Sequence, residues 1–278
     1  MSRICLIVLT RDEEANLPFL LESARALDLD LHVVDSGSTD DTVGIAKRAG
    51  ATVHVREWTN HADQFNWALD TIETDAPWTM RMDADERFTP ELVDELNDRL
   101  SRLGSDVGGL NVKRQVWFWG RWIRHGGYYP VWLLRVWRTG QARVESRWMD
   151  EHVVLTEGRE IALEHDIIDE NHKGIGFWIA KHNGYADLEV LDILAAETGA
   201  TSNEKPSGQA AHVRILKERV YMRLPMFFRP FAYWVFRYVL RGGFLDGLPG
   251  LVFHFLQGFW YRFLVDAKLW EARRKGGP

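Results

Sequence analysis

The 278-residue chain has a single cysteine, Cys5. An internal disulfide is therefore impossible and a cysteine-rich zinc site is excluded, a usage that fits a reducing compartment. Clean apolar runs are also missing. A bilayer-spanning helix needs ~20 mostly apolar residues. The two longest candidates, residues 224–240 and 244–265, are broken by Pro225, Arg229, Pro230 and Arg237 in the first and by Asp246, Pro249, His254, Gln257 and Arg262 in the second. The apolar run at residues 4–9 is too short for a signal-peptide core and is followed at once by acidic residues. It reads as a buried strand, and the chain is expected not to be secreted. There is no internal repeat and no low-complexity tract. With 46% hydrophobic and 27% charged residues, the composition is that of a folded globular protein.

Charge is unevenly placed. Residues 214–278 hold 12 Lys and Arg against 4 Asp and Glu, while the remainder holds 22 against 36. A basic, aromatic-rich tail on an acidic body suits a membrane surface or a polyanion; its alternative is a basic helical pair packed on its own acidic domain. On a helical wheel Phe255, Leu256, Phe259, Trp260, Phe263 and Trp270 share one side, and His254, Gln257, Tyr261 and Lys268 the other, as in an interfacial helix.

The first hundred residues alternate strand-like and helix-like stretches: strands at 4–9, 32–34, 52–56 and 78–82, helices at 17–27, 42–49, 62–72 and 90–103. Such alternation implies a mostly parallel sheet with helices on both faces. Ligands bind beyond the carboxyl ends of strands in such sheets, where three polar clusters fall: residues 10–14, 35–41 and 83–86. Further on, residues 108–118 and 131–137 read as longer strands, 152–155 with 161–165 as a strand pair, 177–197 as a helix, and 198–208 as a Gly/Ser/Pro-containing loop.

Asp83-Ala84-Asp85 carries the clearest chemistry. In an extended segment residues i and i+2 face the same side, and two carboxylates there suit a hard divalent cation such as Mg²⁺ or Mn²⁺. Asp28-Leu29-Asp30 has the same spacing but is expected in a turn between the first helix and second strand. The run from Val33 to Thr42 places a carboxylate, Asp35, at a strand end before a Gly-containing turn and a capped helix. It can serve a base or ribose with a phosphate behind it, or be an ordinary capped loop.

Three motifs, Val8-Leu9-Thr10-Arg11-Asp12-Glu13-Glu14-Ala15-Asn16-Leu17, Asp35-Ser36-Gly37-Ser38-Thr39-Asp40 and Met82-Asp83-Ala84-Asp85-Glu86, in this order and spacing, resemble glycosyltransferase family 2. The resemblance implies a GT-A fold (Rossmann-like, α/β), to which the charge and wheel pattern of the tail add a C-terminal amphipathic, membrane-associating region. It also implies a nucleotide-sugar donor, a divalent metal and inversion at the anomeric carbon. By position it puts Thr10, Arg11 and Glu14 in the nucleotide pocket, Asp35 on the base or ribose, Gln64 and Asn66 toward the donor, and Asp83 and Asp85 on the metal and diphosphate. Arg11 stands where the family often has Tyr, so a guanidinium would stack on the base. Residues 1–105 would be the nucleotide-sugar half, 106–200 the acceptor half, and 209–278 the membrane-associating tail.

The segments Trp148-Met149-Asp150-Glu151-His152-Val153, Asp169-Glu170-Asn171-His172, Lys181-His182-Asn183-Gly184-Tyr185-Ala186 and Arg241-Gly242-Gly243-Phe244-Leu245-Asp246-Gly247 are similar to small bacterial lipopolysaccharide-core β-1,4-glucosyltransferases. That implies UDP-glucose as donor, a lipid-linked saccharide as acceptor, no nucleic acid partner, and a peripheral place on the cytoplasmic face of the inner membrane. Exopolysaccharide and polyprenyl-phosphate transfer are the neighbouring alternatives. Single-displacement inversion needs one general base, for which Glu151 or Asp150 is available; in a strand they face opposite ways, and Glu151 is favoured. His152 is a candidate third metal ligand or an orienting group. A sugar nucleotidyltransferase would carry a Gly-rich basic loop after the first strand, whereas residues 10–14 hold three acidic residues and no glycine. A non-catalytic saccharide- or membrane-binding protein remains the other rival, but every expected acidic position is filled.

Overall fold

The computed structural model describes residues 2–145, 152–197 and 221–275. The chain divides into two compact units: Met1–Trp117 with Pro130–Lys173, and Phe118–Tyr129 with Gly174–Pro278.

In the first unit the order is β1 (Ile4–Thr10), α1 (Leu17–Ser23), β2 (Leu29–Asp35), α2 (Thr42–Arg48), β3 (Thr52–Val55), α3 (His61–Thr71), β4 (Trp78–Asp83), β5 (Glu86–Phe88), α4 (Pro90–Arg99) and β6 (Val107–Phe118). After β7 (Arg121–Trp122), which falls in the other unit, follow β8 (Val131–Arg138), β9 (Ala142–Val144), β10 (Val153–Leu155) and β11 (Arg159–Asp169). The main sheet runs β3-β2-β1-β4-β8-β6-β11-β5. Strands β3, β2, β1 and β4 are mutually parallel, and β8 turns antiparallel against β4. This is the mixed, GT-A-like sheet.

β1 explains its own central place. Its sequence ICLIVLT is buried almost throughout, as a parallel strand covered on both faces must be. Leu6 and Val8 pack with Leu20, Met80, Leu92 and Leu96 on one face. Cys5 and Ile7 point the other way and pack with Phe65, Ala68 and Trp137, following the period of two. Helices α1, α2 and α4 therefore cover one face and α3 the other. Phe65, fully buried, alone contributes on the order of 1.5–3 kcal/mol. Helix starts follow from side-chain caps: Asn60 accepts from the Asp63 amide at 2.8 Å, and Thr89 from the Leu92 amide at 3.2 Å.

Several boundaries differ from expectation. Helix α1 stops at Ser23, whose hydroxyl bonds back to the Leu20 carbonyl at 2.8 Å, and β2 already begins at Leu29. The segment Asp28-Leu29-Asp30 is therefore mostly strand, not turn. β10 and β11 do not pair with each other. β10 pairs with β9, while β11 enters the main sheet between β6 and β5. Gly158, at φ +81°, lies so close to Gly108 that a Cβ would meet the Gly108 nitrogen at 2.7 Å. The glycine pair permits this crossing. β5 was not anticipated; three residues are too few to show a period.

In the second unit, α5 (Gly174–Glu197) packs Ala186 and Val190 against Tyr261, Val265 and Leu269 of the helix Tyr261–Arg274. π-Helical turns at Phe236–Leu240 and Phe255–Trp260 interrupt the tail helices. The polar side of the tail faces inward. His254 and Asp266 are fully buried. Arg229 Nε donates to Asp266 at 2.8 Å, and Tyr261 Oη to Glu189 at 2.7 Å. Phe255, Phe263 and Trp270 are exposed. Among the described residues no helix is long and apolar enough to cross a membrane.

Candidate functional site

The register of the parallel strands brings three expected residues together. Thr10 pairs with Asp35, and Leu9, one residue before Thr10, pairs with Asp83. All three polar residues thus sit at the carboxyl ends of adjacent strands in the first unit. Asp35 is buried and takes four hydrogen bonds. Oδ1 accepts from Thr10 Oγ1 at 3.0 Å and Ser38 Oγ at 2.5 Å, and Oδ2 from the amides of Gly37 at 2.9 Å and Ser38 at 2.8 Å. A carboxylate has about four lone-pair sites, so the expected contact with base or ribose requires one of these bonds to open. Gly37, at φ +83°, makes the tight turn that aims both amides at Asp35.

The two loops beyond these strands are stitched together. The Asp12 amide donates to Ser38 Oγ at 2.8 Å, and Thr39 N to Asp12 Oδ1 at 2.7 Å. The Glu14 amide donates to Asp40 at 3.1 Å, and the Asp41 amide to Glu14 Oε2 at 3.0 Å. Glu14 thereby serves the start of α2. Arg11 is exposed on this rim.

Asp83-Ala84-Asp85 is not an extended stretch. Asp83 ends β4, and a two-residue turn containing Asp85 leads into β5. The two aspartates are held differently. Asp83 Oδ2 accepts from Arg135 at 3.1 Å, its Oδ1 lies 3.4 Å from Arg81, and its amide donates to Glu86 at 2.9 Å. Asp85 Oδ2 accepts from Asn171 at 3.0 Å, and its carbonyl from the Glu170 amide at 2.9 Å. Arg135, on β8, also meets Glu86 at 2.5 Å; the two side chains are 5% and 1% exposed, against 34% for Asp83. Burial alone would raise the Asp83 carboxyl, but Arg135 and Arg81 hold it well below the usual carboxylate range. Burial dominates at Glu86 and pushes it up to about 8 against the pull of Arg135. His61, over Arg81 at 3.3 Å, is held down to about 4 by burial and that guanidinium.

The other expected residues are placed elsewhere. Gln64 is buried, and its Nε2 donates to Ser36 Oγ at 3.1 Å. Asn66 commits both ends of its amide to the Val144 main chain, at 2.8 and 3.0 Å. His152 stands just before β10, with its Nδ1 buried and without a hydrogen-bond partner. Among the described residues it does not share with Asp83 and Asp85 a cluster of ligand atoms within 4.8 Å. Asp150 and Glu151 lie outside the described residues. Arg135, Arg81 and Glu86 were missed as site residues. A lone arginine inside the apolar stretch Val131–Arg138 was the available signal, since a buried charge needs a partner. The segment from Asp169 to His172 does reach the turn: besides Asn171 on Asp85, Glu170 pairs with Arg87 at 2.6 Å and His172 stacks on Phe19.

Asp83 meets what a hard divalent cation asks of an oxygen ligand. It is held ionised, and its carboxylate is one-third exposed.

Among solved structures, the chain is similar to S. aureus TarS 1–349 in complex with UDP-GlcNAc, at 17% identity and TM-score 0.49 over 100% of this chain and 93% of that one. It is also similar to glucosyl-3-phosphoglycerate synthase from Mycobacterium tuberculosis in complex with Mn²⁺, UDP and glucosyl-3-phosphoglycerate. That likeness has 25% identity and TM-score 0.34 over 42% of this chain and 44% of that one. An uncharacterized glycosyltransferase of Rickettsia typhi is 38% identical over 96 residues, 34% of this chain and 32% of the relative, so the match spans about a third of that relative's length. The lipopolysaccharide core biosynthesis glycosyltransferase LpsC of Rhizobium meliloti is 27% identical over 282 residues, 95% of this chain and 90% of that one. The model of glycosyl transferase family 2 matches residues 5–156, more than half of the chain. With its motifs gathered at the ends of β1, β2 and β4, this chain belongs to glycosyl transferase family 2.

Proposed function

We propose that the chain is an inverting, metal-dependent hexosyltransferase that moves a sugar, glucose from UDP-glucose, onto a lipid-linked lipopolysaccharide-core saccharide. The observation that carries this reading is Asp83. It is a carboxylate held ionised at the end of β4, beside Thr10 and Asp35, in a chain of this family. Asp83 and Asp85 would hold Mg²⁺ or Mn²⁺, which supplies charge neutralisation to a departing diphosphate. Arg135 and Arg81 keep the Asp83 carboxylate ionised and aimed, and Asn171 fixes Asp85. Arg11 on the exposed rim would stack on the base, and the stitched loops from Thr10 to Glu14 and Ser36 to Asp41 would form the floor of the nucleotide site. The amide of Asn66 is engaged with Val144, so its part is to hold β9 rather than touch the donor. Glu151 or Asp150 would take the proton of the acceptor hydroxyl as it attacks the anomeric carbon from the face opposite the nucleotide.

The acceptor and the location come from two supports. LpsC is named for lipopolysaccharide core biosynthesis and aligns along nearly the whole chain. The second unit turns Phe228, Phe231, Leu240, Phe244 and Leu248 to solvent and also exposes the cations Arg223 and Arg241. Exposed aromatic and aliphatic side chains together with arginines suit the interface of an anionic bilayer. There the enzyme would sit peripherally on the cytoplasmic face and meet its acceptor at high effective concentration. The test is donor turnover: purified protein with a panel of nucleotide sugars, Mn²⁺, Mg²⁺ or chelator, with and without lipopolysaccharide acceptor. Metal-dependent diphosphate release from one donor, lost in Asp83→Ala and Asp85→Ala, supports the reading. Release that survives both substitutions overturns the assigned site.

A further inference from the structure

Away from the strand ends just described, β1 and β2 carry a second cluster of chemically active side chains. Cys5 is directly opposite Asp30 in the parallel register, and His32 follows two residues later on the same face of β2. One ligand atom from each of Cys5, Asp30 and His32 lies within 4.8 Å of the others, the one such trio among the described residues. Cys5 is 1% and His32 6% exposed. Although Nε2 of His32 lies 3.3 Å from Asp30 Oδ2, it is buried and makes no hydrogen bond. The other ring nitrogen, Nδ1, faces His54 Nε2 at 3.2 Å. Asp30 is steadied by Thr74 Oγ1 at 2.5 Å, and Arg3 lies 3.6 Å from its other oxygen.

A buried imidazole nitrogen that meets its neighbouring carboxylate outside hydrogen-bond geometry is incompletely satisfied in a packed interior. Here Nε2 faces the Asp30 carboxylate, the Cys5 thiol completes the trio, and the other ring nitrogen is engaged by a second histidine. That is the outer-shell arrangement by which metal-binding histidines fix their tautomer and orientation. We propose that Cys5, Asp30 and His32 form a site for a single borderline-soft divalent cation of the zinc type, separate from the aspartates at the end of β4. A mixed sulfur, nitrogen and oxygen set selects such an ion over Mg²⁺ or Mn²⁺, which take oxygen ligands. On binding, the Cys5 thiol loses its proton to solvent as the bond from Sγ to the metal forms. The three side chains leave a fourth tetrahedral position for a water or another ligand, and a cavity of about 60 Å³ lined in part by Cys5, Thr74 and Thr139 lies against the thiol. The ion would tie the starts of β1 and β2 together at the end of the sheet opposite Asp35 and Asp83, a structural role.

Because Cys5 is the only cysteine, cobalt gives an unambiguous signal. The full-length protein is stripped with chelator, titrated with Co²⁺ and followed by absorbance, with circular dichroism on every sample. The expected result is a thiolate-to-cobalt charge-transfer band saturating at one Co²⁺ per chain and displaced by Zn²⁺. It is unchanged in Asp83→Asn, absent in Cys5→Ser, and shifted to higher Co²⁺ in His32→Gln. His54→Phe weakens binding about 10- to 100-fold through loss of the outer-shell contact. If Cys5→Ser fails to fold, His32→Gln and Asp30→Asn carry the test. A folded wild-type protein with no charge-transfer band, or a band unmoved by His32→Gln, overturns the proposal.

Discussion

Arg135→Met is the most informative single substitution in the first unit. The guanidinium is 5% exposed and bonds two carboxylates, Glu86 at 2.5 Å and Asp83 at 3.1 Å. Its loss leaves Glu86, 1% exposed, without its cation. Removing one member of a buried ion pair typically costs about 3–5 kcal/mol. Two features set where in that range this change falls. Asp83 is one-third exposed and keeps Arg81, so water and a second guanidinium soften its loss. Burial already pushes Glu86 up against the pull of Arg135, so losing that guanidinium raises the carboxyl further and lets it take up a proton instead of remaining an unpaired buried charge, which limits the penalty. The expected loss is therefore near the lower end, ~3 kcal/mol, read by urea denaturation with unchanged slope. Adding Glu86→Leu recovers most of it, because an apolar pair of similar volume tolerates the same burial. A loss below ~1 kcal/mol, the scale of an exposed pair, or no recovery in the double variant, refutes the reasoning.

The remaining expectations are independent of one another. His254 is buried with both ring nitrogens unbonded, and burial, then Arg237, hold it down to about 4. Unfolded histidine takes its proton near 6.5, so stability present above that value is lost as pH falls from about 6.5 toward 4; an imidazole NMR titration of His254 centred near 6.5 would contradict this. Asn66→Ala strips two main-chain bonds from Val144 and should cost about 1–3 kcal/mol while leaving the donor KM within about twofold; a large KM change with unaltered stability would return Asn66 to the donor. Leu240→Glu with Leu248→Glu, 73% and 68% exposed, should abolish co-sedimentation with anionic vesicles without lowering Tm, and undiminished sedimentation would remove the membrane from the account.

How far the sequence could be read depended on how local each signal was. The parallel strands and their helices were visible because β1 is an apolar run with a polar end, β2 and β4 are short, partly apolar stretches ending in aspartates, and α3 and α4 carry side-chain caps in the chain itself. The motifs at residues 10–14, 35–41 and 83–86 were found as motifs and do converge. What Asp83 and Asp35 touch was not legible. Arg135 is 52 residues from Asp83, and Asn171 is 86 from Asp85; those pairings exist only after β8 and β11 join the sheet. The turn at Asp85 escaped notice because β5 is too short for a period, and the pairing of β10 with β9 because a three-residue strand is placed by its neighbours. In the tail the two-sided pattern was legible, but not that His254, Tyr261 and Asp266 form the inside. A polar side faces inward only if it finds partners such as Arg229 and Glu189, and those come from distant segments.

The central claim, a nucleotide diphosphate held through a cation at Asp83 and Asp85, is tested most directly by calorimetric titration of UDP into the protein with Mn²⁺ or with chelator. Saturable binding that requires Mn²⁺ and is lost in Asp83→Asn and Asp85→Asn, with both variants folded, is the expected result. Binding of equal strength in chelator, or undiminished in both variants, would contradict it.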